Sequence, residues 1–124
     1  MFFQVKMEKN CIFCKILCKE VNESFVKESK NFIALRDVNP VNEGHTLVIP
    51  KKHYVNLMDL PEELYCESLK LAKEVAKELM DSKLAEGFNL VMNNFKAAGQ
   101  EVFHAHIHVI PRKRADGIRW VTRI

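Results

Sequence analysis

The sequence predicts an α+β fold: a largely antiparallel sheet of about five strands carrying one long and one short helix. Three observations lead there. Several short apolar runs are bounded by Gly, Pro, Asn or Asp, as strands are. One long stretch repeats its apolar residues at helical spacing. Most neighbouring strands are separated by short connections or by a single helix, which favours antiparallel pairing with helices on one side of the sheet.

Taken in order, Cys11 to Glu20 reads as the short helix. Phe25-Val26-Lys27-Glu28 and Asn31-Phe32-Ile33-Ala34-Leu35-Arg36 form a hairpin turning at Ser29-Lys30. His45-Thr46-Leu47-Val48-Ile49-Pro50 is a third strand, opened by Gly44 and stopped by Pro50. Asp59, with Glu62 three residues on, resembles a capping box. It starts a helix from about Leu60 to Leu84, whose apolar stripe is Leu64, Leu71, Val75 and Leu79 with Ala72 and Ala76 beside them. After Gly87 come a strand over Phe88 to Asn93, a turn through Asn94 to Gly99, and a histidine-rich strand. Ile118 to Thr122 adds a final short strand.

Length and composition bound the class of protein. At 124 residues, 48% hydrophobic and 28% charged, the chain suits one domain over residues 1–124 that buries its core without covalent staples. The net charge of +3 is modest, and the basic clusters Lys51-Lys52 and Arg112-Lys113-Arg114 lack the interleaved aromatics of a single-strand groove. No nucleic-acid polymer is expected as a partner; these bases are loop charges or, at most, guides for a phosphorylated substrate. Met1 to Asn10 has neither the apolar region of a signal peptide nor the length of a membrane span, so no membrane is expected and the location is expected to be cytoplasmic. There thiols stay reduced, and the four cysteines, Cys11, Cys14, Cys18 and Cys66, are not read as a disulfide framework. Cys11-Ile12-Phe13-Cys14 has zinc-knuckle spacing.

The densest chemistry lies in His104-Ala105-His106-Ile107-His108, which holds three of the five histidines. On a strand, alternate residues share a face, so the three imidazoles would stand together, adjacent pairs about 6.6 Å apart and the outer pair about 13 Å apart. Two chemistries fit. A His-x-His pair completed by His45 or His53 could bind a metal ion. Alternatively, a neutral central imidazole could attack phosphorus while its neighbours fix its tautomer and orient the anion.

At this point the chain resembles a family. Ala98-Gly99-Gln100-Glu101-Val102-Phe103-His104-Ala105-His106-Ile107-His108-Val109-Ile110-Pro111-Arg112 resembles the signature of the histidine triad (HIT) nucleotide hydrolases and transferases. Cys11-Ile12-Phe13-Cys14-Lys15-Ile16, Phe32-Ile33-Ala34-Leu35-Arg36-Asp37 and Gly44-His45-Thr46-Leu47-Val48-Ile49-Pro50-Lys51-Lys52-His53 match in order and spacing, so the likeness covers about residues 11–114.

The resemblance implies a HIT-like fold and a homodimer acting at the α-phosphorus of purine nucleoside 5′-phosphoramidates or dinucleoside polyphosphates. It implies His106 as nucleophile, forming a nucleotidyl-histidine, with His108 and His45 supporting it. Gly99, Gln100 and Glu101 would line the phosphate site. Asp37 would accept hydrogen bonds from the ribose, and Phe13, Ile16, Val21, Leu35 and Val38 would form the base slot. Asn93 would stand beside the phosphate or the triad. In the branch with an early Cys-x-x-Cys, Cys11, Cys14, His53 and His104 would hold a structural zinc ion. Cys18 and Cys66 lack matching partners and read as packing residues.

Two positions depart from the family pattern, Glu101 where many relatives have a small residue and Phe95 where many have glycine. Both bear on the leaving group. The tail matches weakly, although Trp120 is similar to a C-terminal tryptophan that some members place near a partner's active site. A metal-dependent hydrolase using the His-x-His pair and a non-catalytic nucleotide-binding module are the rival readings.

Overall fold

A computed structural model describes residues 10–19 and 25–119. Val21 and Trp120 lie outside the described residues, as does most of the expected Ile118–Thr122 strand; Ile118 and Arg119 pair with no strand.

The five strands β1 (Lys27–Glu28), β2 (Phe32–Arg36), β3 (Thr46–Pro50), β4 (Gly87–Val91) and β5 (Ile107–Arg112) form one sheet in the order β1-β2-β3-β5-β4. Every pairing is antiparallel. The hairpin over Phe25–Arg36 is present, with Lys27 opposite Ala34. The carboxylate of Glu67, from the long helix, pins its turn by accepting hydrogen bonds from the Ser29 hydroxyl and from the backbone and side chain of Asn31.

Helices cover both faces of the sheet, not one. The reason is visible in β2 and β3, whose consecutive residues are all buried except Arg36 at the end of β2, so neither face can be left to water. Phe32, Ala34, Val48 and Val109 turn towards α2 (Tyr65–Asp81) and pack against Leu71, Val75 and Leu79. Ile33, Leu35, Leu47 and Ile49 turn the other way and pack against Phe13, Cys14, Ile16 and Leu17 of α1 (Ile12–Leu17). This second, smaller layer positions the site.

The boundaries of α2 differ from expectation at both ends. Asp59 does not cap it: its carboxylate accepts the N–H groups of Val55 and Asn56, closing the preceding turn. A 3₁₀ turn over Glu62–Leu64 follows, and the α-helix begins at Tyr65. At the far end Lys83 takes a left-handed φ of 69°, and the N–H groups of Lys83 and Leu84 bond the carbonyls of Met80 and Leu79, a Schellman closure. Gly44 opens β3 with a φ of 99°, and a Cβ there would lie 2.7 Å from Leu79 Cδ2, so the turn needs glycine twice over.

The histidine segment is the main departure. Only Ile107 onwards joins the sheet; His104 and His106 precede β5 in irregular backbone. The backbone there bonds elsewhere, Ala105 N–H donating to the Tyr54 carbonyl at 2.6 Å. The alternation that would have put three imidazoles on one face is therefore broken between His104 and His106.

Candidate active site

The five histidines divide into two groups. His53 and His104 meet Cys11 and Cys14 in a buried cluster behind α1, while His45, His106 and His108 form a chain beside an open pocket.

In the cluster, Cys11 stands at the N-cap of α1 and Cys14 in its first turn, so one helical turn brings both sulfurs to the same side. His53 follows β3 and His104 precedes β5, and both are buried. The ligand-type atoms are closely spaced: Cys11 Sγ to His104 Nδ1 is 3.3 Å, Cys14 Sγ to His53 Nδ1 is 3.2 Å, Cys14 Sγ to His104 Nδ1 is 3.5 Å, and the two Nδ1 atoms are 3.2 Å apart. Donors at zinc bond lengths from a tetrahedral centre stand about 3.3–3.8 Å from one another, so this spacing is compatible with zinc. His104 Nε2 bonds the Pro50 carbonyl at 2.9 Å, which leaves the Nδ1 lone pair for the cluster.

The other histidines obey a different logic. Val41 N–H donates to His45 Nδ1 at 3.0 Å, so the proton of neutral His45 sits on Nε2. That nitrogen lies 2.9 Å from His108 Nδ1 and 3.5 Å from Asp37 Oδ2. His108 Nδ1 thus accepts, and the hydrogen-bond pattern assigns the His108 proton to Nε2. His106 Nδ1–H donates to its own segment, the carbonyl of His104, at 2.7 Å. Its Nε2 makes no hydrogen bond among the described residues and keeps a lone pair. No buried side-chain nitrogen or oxygen among the described residues lacks a partner, so that lone pair is reachable from the pocket. The edge of the Phe13 ring packs on His106, centroids 5.2 Å apart, and holds its orientation.

Burial keeps these imidazoles neutral. It pushes His106 and His45 below the ordinary histidine value, and it pushes His108, helped by its histidine neighbours, to about 4. A cationic ring would be a donor with no lone pair; the neutral one can attack.

His106 and His108 line a cavity of about 430 Å³. Phe13, Ile16, Leu35 and Val38 supply its apolar wall, and Asp37, Asn93, Gly99 and Glu101 its polar one. Two expected residues stand differently. His45 lies behind His108 and acts through it. The Gln100 side chain does not line the cavity: it accepts from Phe95 N–H and donates to the carbonyls of Val55 and Val102, bracing the loop that presents Gly99 and Glu101. Ile12, Arg36, Asn39, Leu47 and Val102 also line it and were not anticipated. Leu47 was findable from pairing, since it lies opposite both Leu35 and His108 across the sheet. The others follow from chain path, for which a single sequence carries no signal.

The His-x-His metal reading fails on geometry. His104 Nδ1 turns towards the sulfurs and His106 Nδ1 towards a backbone carbonyl, so the two rings do not converge on one ion.

Comparison with known proteins shows the family and the fold. The model of the HIT domain matches residues 18–115, and the chain belongs to the HIT family. A HIT-like protein of Methanocaldococcus jannaschii is 45% identical over 108 residues, 86% of this chain and 82% of its own. An adenosine 5′-monophosphoramidase of Saccharomyces cerevisiae is 40% identical over 107 residues, 86% of this chain and 65% of its own. Among solved structures, a zinc-bound histidine triad family protein from Mycobacterium smegmatis superposes with a TM-score of 0.84 at 37% identity, covering 90% of this chain and 81% of that one.

Proposed function

We propose that the protein is a nucleotide hydrolase that cleaves purine nucleoside 5′-phosphoramidates or dinucleoside polyphosphates at the α-phosphorus through a nucleotidyl-His106 intermediate. The observation that carries this reading is the pinned tautomer of His106: Nδ1–H is held by the His104 carbonyl, and the Nε2 lone pair is open to the pocket.

The base would lie in the slot of Phe13, Ile16, Leu35 and Val38, with Asp37 accepting from the ribose. His106 Nε2 then bonds to the α-phosphorus as the bond to the leaving group breaks; a leaving nitrogen departs with a proton from pocket water. The ring becomes cationic on phosphorylation, and its Nδ1–H bond to the His104 carbonyl stabilises that charge. His108 Nε2–H, fixed as a donor by His45, would hold a phosphoryl oxygen. Water attacks the phosphoimidazole next, releasing the nucleoside monophosphate and restoring neutral His106. No separate base is needed to free the nucleophile.

Cys11, Cys14, His53 and His104 would hold a structural zinc ion. With four protein donors and no open position, such an ion crosslinks α1 to the segments after β3 and before β5 and does not activate water. The functional unit would be a cytoplasmic homodimer. Edge strand β4 supports the dimer, because among the described residues it leaves one side unpaired and exposes Phe88 and Leu90. No helix among the described residues is long and apolar enough to cross a membrane.

The test is an acid quench during turnover of adenosine 5′-phosphoramidate, with mass spectrometry of the protein. Addition of one adenylyl group, lost in His106→Asn, is expected. Full turnover by a well-folded His106→Asn enzyme would refute the reading.

A further inference from the structure

The ionised side chains around the pocket are unevenly committed. Among the described residues that line it, Arg36 is the one cation, and Asp37 and Glu101 are the anions, since the histidines are neutral. Arg36 is spent on the fold: its guanidinium donates to the Gly44 carbonyl at 2.9 Å and to the Thr46 hydroxyl. Asp37 is partly spent, one oxygen accepting Asn39 N–H at 2.9 Å and the other facing His45 at 3.5 Å. Glu101 is exposed, lines the same cavity, and makes no hydrogen bond or ion pair among the described residues. Among the described lining residues, the ionised side chain without a hydrogen bond or ion pair is therefore Glu101, and it is negative.

Its placement says what that charge meets. Glu101 lies on the loop braced by Gln100, five residues before His106, whereas the apolar slot is built by α1 and β2. A nucleotide with its base in that slot and its phosphorus at His106 Nε2 puts the Glu101 loop against the phosphate and whatever is attached to it.

We propose that Glu101 selects the leaving group by charge, favouring amines that carry a second, cationic group and rejecting polyanions. This rests on the hydrolase reading above and narrows it. A polyphosphate leaving group would bring several negative charges to a carboxylate whose only cationic neighbour in the described pocket lining, Arg36, is hydrogen-bonded to Gly44 and Thr46, whereas an ammonium group on the departing amine would pair with it. The α-phosphoryl group tolerates the carboxylate because its oxygens face the donor His108 Nε2–H. The strained loop beside it holds Glu101 in place: Phe95 has φ 72° and ψ 154°, and its N–H is tied to Gln100.

The experiment compares three adenosine 5′-phosphoramidates, those of 1,3-diaminopropane, propylamine and β-alanine, whose free ends are cationic, neutral and anionic. kcat/KM is measured for the native enzyme, Glu101→Gln and Glu101→Lys at low and high salt. Ratios are taken within each enzyme, so a general loss of activity cancels. The native enzyme should prefer the cationic over the anionic substrate by about tenfold at low salt, less at high salt. Glu101→Gln should compress that ratio towards one, and Glu101→Lys should invert it. A flat series in the native enzyme, or a series unchanged in Glu101→Gln, overturns the proposal while leaving the hydrolase reading intact. Failure to cleave any of the three, with an intact fold, overturns both.

Discussion

The buried cluster behind α1 and the histidine chain beside the pocket use the same side chain to opposite ends. In the cluster, His53 and His104 point their Nδ1 lone pairs at one another and at two sulfurs, 3.2–3.5 Å apart, with no path to solvent for His104. In the chain, each donor meets an acceptor from Val41 through His45 to His108, and His106 ends with a lone pair facing the cavity. Converging lone pairs call for a cation; a lone pair at an open wall calls for an electrophile. What separates the proposed metal cage from the proposed nucleophile here is the partner of the other ring nitrogen, more than the residue type or its spacing.

The two regions meet at Phe13, whose ring packs on both His104 and His106, and at His104 itself. His104 sends its ring into the cluster and its backbone carbonyl to His106 Nδ1. On the proposed reading, metal binding in the cluster should therefore hold the tautomer of His106 as well as the fold.

The comparison can be broken most sharply at His106. His106→Ala should lower turnover by on the order of 10⁴-fold or more while the thermal transition and zinc content are kept, measured by stopped assays and elemental analysis. Next in size is Cys14→Ala. Native protein should contain about one zinc per chain and the variant almost none. Its stability to urea should fall by several kcal/mol. Its turnover should fall too, because the His104 carbonyl is released; a stable, metal-free variant with full activity would uncouple the two regions.

A smaller effect concerns pH. His108 is held at about 4 in the folded protein, against about 6.5 when unfolded, so the unfolded chain binds the extra proton first as pH falls. Its contribution to stability is complete above pH 6.5 and is lost between there and about 4. Urea midpoints should drop between pH 7 and pH 5, and His108→Asn should make that drop shallower. The Cys11, Cys14, His53 and His104 cluster is the same in both proteins, so the difference between them reports His108. The smallest effect sits in the loop that serves the open site. Phe95→Gly relieves a backbone conformation that suits glycine and should raise stability by about 1 kcal/mol, read as a higher urea midpoint. A loss instead would show that the aromatic ring packs more than its exposure suggests.

Much of this was readable before any coordinates. The strands over residues 32–36 and 46–50, the buried stripe Leu71, Val75 and Leu79, and the membership of His45, His106 and His108 in one site all follow from local pattern or from motif resemblance. Less readable were features set by competition for hydrogen bonds. Asp59 resembled a helix cap but serves the Val55–Asn56 turn, and Gln100 resembled a phosphate ligand but its side chain braces the loop. Asp59 was claimed by amides on its N-terminal side in place of those of the helix, and Gln100 by partners that include the Val55 carbonyl, which only the chain's path brings near.

Residue type and order by themselves determined that this chain makes a sheet with one long helix, that its cysteines and histidines are spaced for ligation, and that a central histidine is flanked by two others. Tertiary structure decided which nitrogen of each ring is held and by what. Spacing constrains where a ring can stand along its own backbone. Which nitrogen keeps its lone pair depends on carbonyls, amides and rings brought from other segments, and those are neighbours only once the chain is folded.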